Sequence, residues 1–321
     1  MTRQNVASLA HEPHTEVCGI YRASNPTYRV AKNQSFYRVL RLVDISGQIN
    51  GYAWYDKYKS AYFPEDNDII RIVGRTKVAP TTGFVVVTIL EAEPVPRYEE
   101  NPIALLPFSS SANVDDIREL AHVIDDISSP SLKHFLKQVF SDDDLAESFV
   151  YSKASLRHHH SQIGGLLRHS LECVRMINHF SEIPVHEREV GIVAALLHDL
   201  TKTKQFYNDT GYSTPMINHD ARTLEYLSVP LRALEQNWHD GAGLLRMIME
   251  YPLTKKKYLY KKFHVPAVVD LVWFVDQLST AIDMEESAYT SMSCRQHYTK
   301  FADVTYWRPK ADNYQDLCCA A

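Results

Sequence analysis

The sequence predicts a multidomain protein of α and β structure, in which a small N-terminal β-barrel precedes an all-helical domain. Between residues 18 and 95, short runs of alternating apolar and polar residues are separated by turn-forming residues, a pattern typical of small sandwiches and barrels. From Val114 onward, apolar residues recur at helical spacing instead. A chain of 321 residues has room for both domains.

The individual runs define the boundaries of these regions. The strand-like runs are SFYRVLRLVDISG, QINGYAWYD, DIIRIVGRTKV and GFVVVTILEAEPV. The principal helical runs are DDIRELAHVIDDI, SLKHFLKQVF, GGLLRHSLECVRMINHF, REVGIVAALLHDL, ARTLEYL, GAGLLRMIMEY and VPAVVDLVWFVDQLSTAID. We therefore predict an N-terminal tail (1–16), a barrel (17–97), a linker rich in proline, serine and acids (98–115), a helical domain (116–293) and a C-terminal tail (294–321).

Composition excludes several classes of protein. A formal net charge of -5 gives no global sign of a nucleic-acid binder, so any such contact must come from local patches. The five cysteines form no CxxC pair, which argues against a zinc ribbon and favours reduced thiols. The N-terminus lacks the apolar region of a secretory signal, and no apolar run reaches the roughly 18 residues that span a bilayer. We expect a cytoplasmic protein without a membrane segment.

An apolar helix that ends in adjacent His198 and Asp199 is the first candidate for a metal site. Imidazole and carboxylate are both ligands of divalent transition ions, and such an ion offsets the cost of burying them. A lone His-Asp pair also arises by chance, and a helix C-terminus favours histidine in any case. His169 on an upstream helix and Asp276 on a late apolar helix extend the pair to four candidate ligands on three helices.

The segments HHSQIGGLLRHSLE, AALLHDLTK and VDQLSTA together resemble the HD phosphohydrolase superfamily. More narrowly, the chain resembles the bacterial YhaM-type 3'-5' exoribonuclease family, in which an OB-fold precedes an HD domain. FYRVLRLVDISGQINGYAW is similar to the second and third strands of that barrel. The resemblance covers both halves of the chain. A more distant resemblance is to the relaxases of the mobilisation H type, which have no obvious reason to carry an N-terminal barrel.

The resemblance implies the roles of several residues. His169, His198, Asp199 and Asp276 would bind one divalent metal ion, Mn²⁺ in the first place, with Mg²⁺, Fe²⁺, Ni²⁺ or Co²⁺ as alternatives. The catalytic set would comprise Asp199, which also orients water, with Lys202 and His219 neutralising phosphate oxygens. His159 and His160 would line the cleft. Family members are often homo-oligomers.

Two positions depart from the family pattern. Thr201 replaces a glycine in the HDxGK motif, and threonine is less permissive of unusual backbone angles. Glu250 stands where a histidine-rich motif would supply a second metal site. Either Glu250 substitutes as an oxygen ligand, together with His219, or the second metal is weak or absent.

The implied reaction is removal of 5' mononucleotides from the 3' end of single-stranded RNA or DNA. A divalent ion would supply a nucleophile at neutral pH and relieve charge on the phosphate. Single strands bind by stacking on aromatic rings and by a basic groove. The candidates for nucleic-acid contact are Tyr37, Arg38, Trp54 and Lys57 in the barrel, and Lys256, Lys257 and Lys261 in a basic, aromatic segment of the helical half.

Two other functions remain open at this stage. The changes at Thr201 and Glu250 are consistent with a non-catalytic nucleic-acid-binding or adaptor protein that has a degenerate HD site. An HD phosphohydrolase acting on a small nucleotide is the other alternative, although a small substrate needs no strand-binding barrel.

Overall fold

The structure is a computed structural model that describes residues 4–107, 114–155, 160–203, 219–254, 265–290, 298–301 and 303–309. The chain forms two compact units, residues 1–147 and 148–321. None of the described helices has the length and apolar character needed to cross a bilayer.

The first unit contains a closed barrel of five strands in the order β1-β2-β3-β5-β4. The strands are β1 (Glu16–Val30), β2 (Phe36–Asp44), β3 (Gly47–Trp54), β4 (Ile69–Val78) and β5 (Val85–Pro94). All neighbouring strands are antiparallel except β3 and β5, which pair in parallel. The long strand β1 closes the barrel, because its first half pairs with β4 and its second half with β2. The predicted barrel is confirmed, and this strand order is consistent with the OB-fold.

Alternation along the strands decides which side chains fill the barrel. In β3, Ile49, Gly51 and Ala53 are buried, whereas Tyr52 and Trp54 are partly exposed on the outer face. The buried core also includes Leu40, Leu42, Ile70, Ile72, Val87 and Ile89. Burial of each such aliphatic side chain contributes about 1.5–3 kcal/mol.

The N-terminal residues 1–16 are not the simple tail that we predicted. They contain a short helix, α1 (Val6–Leu9), whose Val6 and Leu9 side chains belong to the barrel core. Asn5 caps this helix by accepting a hydrogen bond from Ser8 N. The buried Asp44 carboxylate accepts another from Val6 N (3.0 Å). One helical turn was too short for its periodicity to be detected in the sequence.

The predicted linker 98–115 also differs from the structure. Ile103–Leu105 form a buried 3-10 turn that contacts β2 and the following helix. Asn101 is buried as well, and its side chain donates hydrogen bonds to Ala121 O and Asp125 Oδ1. The proline and serine content of residues 98–115 indicated a linker, but the apolar run Ile103–Leu106 is buried in the core.

Three helices follow this turn: α2 (Val114–Asp126), α3 (Pro130–Val139) and α4 (Asp143–Tyr151). The division between the two units falls inside α4, not in the linker predicted upstream. Asp143, at the start of α4, accepts hydrogen bonds from both guanidinium ends of the buried Arg22 (2.8 and 2.9 Å) and from Arg97. Arg22 Nε also donates to Leu105 O (3.0 Å). These contacts tie β1, the 3-10 turn and α4 together.

The second unit is helical, as predicted. Its helices are α5 (Gly165–Asn178), α6 (Val185–Leu197), α7 (His219–Tyr226), α8 (Ser228–Asn237), α9 (His239–Thr254) and α10 (Ala267–Tyr289). α6 is the central helix and contacts α5, α9 and α10. Its residues from Val190 to Leu197 are buried on every side, which explains their uninterrupted apolar character.

The predicted C-terminal tail 294–321 contains structure. Strands β6 (Tyr298–Phe301) and β7 (Val304–Trp307) form an antiparallel hairpin that contacts α10. Thr299 Oγ1 donates a hydrogen bond to Ala288 O in that helix (3.3 Å). Four-residue strands are too short to be separated from loops by sequence alternation alone.

The Asp143 contacts generate a stability prediction. Burial raises the pKa of Asp143, but the combined effect of Arg22 and Arg97 is larger and lowers it. The folded-state pKa therefore lies below its ordinary value of 3.8. Its stabilisation is therefore present at neutral pH and is lost as the pH falls through the folded-state pKa. We expect Asp143→Asn to lower the free energy of unfolding at neutral pH by about 2 kcal/mol, measured by urea denaturation.

The same measurement at an acidic pH should show a smaller difference from wild type, because Asp143 is then protonated in both states. Asp115→Asn is the matched control, since Asp115 is exposed and forms an ion pair with the exposed Arg118. It should change stability by less than about 0.5 kcal/mol. A deficit of Asp143→Asn that stays constant with pH would contradict the assigned role.

Candidate metal centre

Three helices of the second unit bring four ionisable side chains together. His169 comes from the middle of α5, Asp276 from the middle of α10, and His198 and Asp199 from the C-terminal end of α6. His169 and Asp199 are buried, whereas His198 and Asp276 are partly exposed. The four predicted ligands are therefore adjacent in space as well as ordered in sequence.

The distances within this cluster are short. His169 Nε2 lies 3.2 Å from His198 Nε2 and 3.2 Å from Asp276 Oδ1, and His198 Nε2 lies 3.4 Å from Asp276 Oδ1. Asp199 Oδ2 is 3.4 Å from His198 Nε2 and 3.8 Å from His169 Nε2. Ligand atoms bound at about 2.1 Å to one ion lie about 3.0–3.4 Å apart. The separations among His169, His198 and Asp276 match this spacing.

The chain changes direction at Asp199, where α6 ends. His198 N still donates to Ala194 O, but Asp199 leaves the helical region with φ -102° and ψ 14°. A 3-10 turn follows over Leu200–Lys202. This turn brings Lys202 Nζ back to within 2.6 Å of Asp199 Oδ2. Lys202 therefore lies beside the cluster, paired with one of the candidate ligands, whereas its predicted contact with a substrate phosphate stays a prediction.

Hydrogen bonds orient the two imidazole rings. His198 Nδ1 lies 3.0 Å from Ala195 O, so Nδ1 carries the proton that this carbonyl accepts and Nε2 faces the cluster. His169 Nδ1 lies 3.0 Å from Ser279 Oγ, which again directs Nε2 toward the cluster. Two imidazole nitrogens that face each other at 3.2 Å can share a proton, which one donates to the other, or can both bind a cation.

The electrostatics of the cluster follow from its charges. Burial lowers the pKa of His198, but the combined effect of Asp199 and Asp276 is larger and raises this pKa to about 9. Burial lowers the pKa of His169. Burial raises the pKa values of Asp199 and Asp276, but neighbouring side chains outweigh this effect and lower both values well below the usual range. Lys202 and the two histidines lower the pKa of Asp199, and the two histidines lower that of Asp276. Without an ion, protonated His198 and Lys202 balance two carboxylates. Imidazole nitrogens and carboxylate oxygens are also ligands of divalent transition ions, so the donor set fits one.

Two glycines shape the approach to α5. Gly164 precedes the helix with φ +78°, a left-handed conformation that L residues with side chains adopt at a cost. Gly165 lies so close to His160 O that an added Cβ would be 2.0 Å from it. The GGLL segment therefore lets the chain at His160 pass directly over the start of α5.

His160, which we predicted to line the cleft, is buried beside His169. Its side chain is 1% exposed, and its ring centroid lies 5.2 Å from that of His169. Its backbone N–H donates to Asp283 Oδ2 (2.8 Å), and its Nε2 lies 3.4 Å from Glu172 Oε2. His160 thus packs behind a candidate ligand. His159 lies outside the described residues.

The concern about Thr201 is resolved by its backbone. Thr201 lies in the 3-10 turn and is absent from the residues with positive φ, so no glycine is required there. Its buried hydroxyl is 3.3 Å from the Thr223 hydroxyl, which also donates to His198 O (3.4 Å). Threonine here joins the turn to α7.

Glu250, one of the two residues predicted for a second metal site, lies outside the cluster of candidate ligands. Glu250 is exposed on α9 and is not one of the three residues, His169, His198 and Asp276, whose ligand atoms all lie within 4.8 Å of one another. An exposed carboxylate near the end of α9 is an ordinary solvated group. His219 begins α7, but its side chain lies outside the described residues, as do Lys256, Lys257 and Lys261.

Sequence reasoning missed Glu172, Ser279 and Asp283, which surround the histidines. Glu172 follows His169 by three residues on α5, and Ser279 and Asp283 follow Asp276 by three and seven on α10. Residues at these spacings share one helix face with the candidate ligand. This regular spacing was the signal available in the sequence.

The barrel places its candidate aromatic residues on its outer face. The ring of Tyr37 stacks on Trp54 (centroids 4.5 Å apart) and lies near Tyr52 (6.1 Å). Lys77 Nζ lies 5.9 Å from the Trp54 ring centroid. We define Tyr37, Tyr52, Trp54 and Lys77 as the aromatic face. Lys77 was not predicted, because β4 reaches β3 only through β5.

The other two predicted barrel residues lie apart from this face. Arg38 alternates with Tyr37 along β2, and its guanidinium stacks over Phe63 (4.7 Å) and Tyr28 (5.5 Å). Strand alternation therefore separates Arg38 from the aromatic face. Lys57 is exposed in the turn after β3.

The contact between Gly165 and His160 gives a prediction about α5. Gly165→Ala should destabilise the protein by about 1–3 kcal/mol, because the added methyl group forces the His160 backbone to move. Gly243→Ala is the matched control, since nothing lies within 4 Å of a Cβ at that position in α9. It should be neutral or stabilising by up to about 1 kcal/mol. Thermal denaturation measures both, and equal effects would contradict the packing described.

Neither a family model nor a curated protein matches the sequence. Among solved structures, the chain is similar to the second OB-fold domain of replication protein A from Methanococcus maripaludis, with 15% identity over 29% of this chain and 95% of that chain (TM-score 0.23). It is also similar to asparaginyl-tRNA synthetase from Pyrococcus horikoshii, with 12% identity over 85% and 70% of the two chains (TM-score 0.26). Both TM-scores are too low to establish a shared fold. The comparison of the barrel with the OB-fold rests on its own strand order.

Proposed function

We propose that the protein is a metal-dependent HD-type phosphohydrolase that cleaves single-stranded nucleic acid. The observation that carries this proposal is the meeting of His169, His198 and Asp276 within ligand distance of a single ion, with Asp199 beside them. Imidazole nitrogen and carboxylate oxygen are the donors that Mn²⁺, Fe²⁺, Co²⁺ and Ni²⁺ accept, whereas Mg²⁺ favours oxygen alone. The order of these residues along the chain also agrees with the resemblance to the HD superfamily.

A bound divalent ion supplies an activated water molecule and stabilises negative charge on a phosphate. The histidine and aspartate side chains of the cluster are suited to bind such an ion for different reasons. The Nδ1 protons of His169 and His198 point away from the cluster, so each Nε2 would offer its lone pair to an ion, in His198 after loss of the Nε2 proton. Asp199 and Asp276 remain ionised at neutral pH because neighbouring cations lower their pKa values.

Lys202 is the best placed side chain to bind a substrate phosphate. Its ammonium lies 2.6 Å from Asp199 and retains partial solvent exposure. With Asp199 bound to an ion, the Lys202 ammonium would be available to a substrate phosphate oxygen. An ammonium that contacts developing negative charge lowers the barrier to phosphodiester cleavage.

The aromatic face of the barrel supports a nucleic-acid substrate. Rings on the outer face of strands 2 and 3 of an OB-fold are the surface on which bases stack. Tyr37, Tyr52 and Trp54 occupy that surface, and Lys77 adds a cation beside it. With the resemblance to YhaM-type enzymes, this favours 3'-5' exonuclease activity on RNA or DNA that releases 5' mononucleotides.

One observation favours a second candidate, a nucleic-acid-binding protein without catalysis. The short Lys202–Asp199 ion pair already balances one candidate ligand without any metal. A chain in which this pair persisted would retain the aromatic face and lack hydrolysis. Metal dependence of cleavage distinguishes the two functions.

Nuclease activity is tested with single-stranded RNA labelled at the 3' or the 5' end, in the presence of Mn²⁺ or a chelator. We expect release of the 3' label as a mononucleotide and a shortening ladder of the 5'-labelled strand with Mn²⁺ alone. His198→Ala should lower the rate by at least about 100-fold, because it removes a ligand. His239→Ala is the control, since that residue is 80% exposed and pairs with Glu235.

The outcomes separate the candidates. Intact but tightly bound RNA and single-stranded DNA in every arm would contradict the nuclease and favour the binding protein. Cleavage of dinucleotides as fast as long strands would favour an enzyme for small nucleotides.

Strand binding is tested by fluorescence anisotropy with a labelled single-stranded RNA and, separately, DNA. Trp54→Ala should weaken binding by about 1–3 kcal/mol, because a base loses its stacking partner. Trp307→Ala is the matched control, since Trp307 is exposed on the β6–β7 hairpin. Equal affinities for the two variants would refute the role of the aromatic face.

A further inference from the structure

Ser279 is a buried residue of α10 whose hydroxyl lies among three polar side chains. Its Oγ is 2.8 Å from Glu172 Oε2, 3.0 Å from His169 Nδ1 and 3.3 Å from His160 Nε2. Glu172 and His169 are three residues apart on α5 and present the same helix face to α10.

The chemistry of a hydroxyl group fixes the direction of these hydrogen bonds. A serine has one proton to donate and two lone pairs that accept, whereas an ionised carboxylate only accepts. The Ser279 proton is therefore donated to Glu172, and both lone pairs remain for the two imidazoles. His169 then donates from Nδ1, and its Nε2 bears the lone pair.

The direction matters because His169 Nε2 is the atom that faces His198 and Asp276. A proton on that nitrogen would block ligation, so only the Nδ1–H tautomer can bind an ion. In metal sites, the group that accepts the second ring N–H holds the ring in place and selects this tautomer. Here that acceptor is a serine hydroxyl whose own proton is held by a glutamate.

We propose that Ser279 and Glu172 are positioning residues, which act through His169 to set the affinity for the ion. This inference rests on the proposed function of the cluster, since it assumes that His169 is a ligand. The hydroxyl of Ser279 selects the Nδ1–H tautomer, and Glu172 prevents the hydroxyl from donating to the ring instead. His160 is not a proposed ligand of the ion. Its imidazole contacts the same Ser279 hydroxyl from the other side.

A merely structural role for Ser279 would be to fill space between α5 and α10. Ser170 offers the comparison, because it is a serine of α5 that is equally buried and next to His169 in sequence. Its hydroxyl is not hydrogen-bonded to any of the four cluster side chains in the described part of the chain. Loss of either hydroxyl removes the same atom from the interior, but only loss of Ser279 changes what His169 donates to.

The experiment is isothermal titration of the full-length, chelator-treated protein with Mn²⁺ and, separately, with Zn²⁺. Wild type, Ser279→Ala, Ser279→Thr and Ser170→Ala are compared, and circular dichroism melting reports whether each variant is folded. We expect Ser279→Ala to weaken ion binding by about 10- to 100-fold. Ser279→Thr, which keeps the hydroxyl, should restore affinity to within about threefold of wild type, and Ser170→Ala should match wild type.

The possible results have different meanings. Wild-type binding with an unchanged affinity in Ser279→Ala would overturn the positioning role and leave the proposed metal centre standing. Equal weakening by Ser279→Ala and Ser170→Ala would also overturn it, since burial rather than the hydrogen bond would then be responsible. A wild-type protein that binds neither ion would overturn the proposed function itself.

Discussion

Charge balance among four side chains in the interior of the helical unit is the constraint on which the candidate site depends. Each imidazole Nε2 lies 3.2–3.8 Å from an oxygen of each carboxylate, so these groups influence one another's ionisation. The pKa of His198 rises to about 9, while those of Asp199 and Asp276 fall. Removal of one member leaves an uncompensated charge in a largely buried place, which is costly. The same balance makes a divalent cation a suitable occupant.

The helices are arranged so that this cluster can form. α6 is apolar on every side until it reaches His198 and Asp199, so its end delivers both residues into the interior. α5 and α10 each contribute one candidate ligand and, one turn later, a residue that supports it. Departures from simple hydrophobic patterning are expected where a site is built. The polar faces of α5 and α10 are such departures, as is the outward aromatic face of the barrel.

Much of this architecture could be predicted from the sequence. The period-two runs of the barrel and the longer amphipathic helices were recognisable because their patterns extend over many residues. His198, Asp199 and Asp276 were recognisable because they lie in or at the end of apolar helices, and the choice of His169 rests on the resemblance to HD domains. Short elements such as α1 and the β6–β7 hairpin, which a few local residues cannot specify, were missed. The linker at 98–115 was predicted from its composition, but tertiary packing of Ile103 and Leu105 overrides it.

Residues that support the candidate ligands were harder to predict than the ligands themselves. Ser279 is an ordinary polar residue of a helix until the structure shows that its hydroxyl meets His169 and Glu172. Lys77 joins the aromatic face only because the barrel closes with β5 between β3 and β4. Likewise, burial of His160 depends on the close approach that Gly165 permits. Each of these contacts joins segments that sequence patterns treat separately.

Anomalous diffraction from crystals grown with Mn²⁺ tests the central claim most directly, because it locates the ion without any assay of activity. The account predicts one anomalous peak within about 2.0–2.3 Å of His169 Nε2, His198 Nε2 and Asp276 Oδ1, with Asp199 turned toward it. A cluster without a peak, in which Lys202 remains paired with Asp199 at a saturating Mn²⁺ concentration, would contradict it.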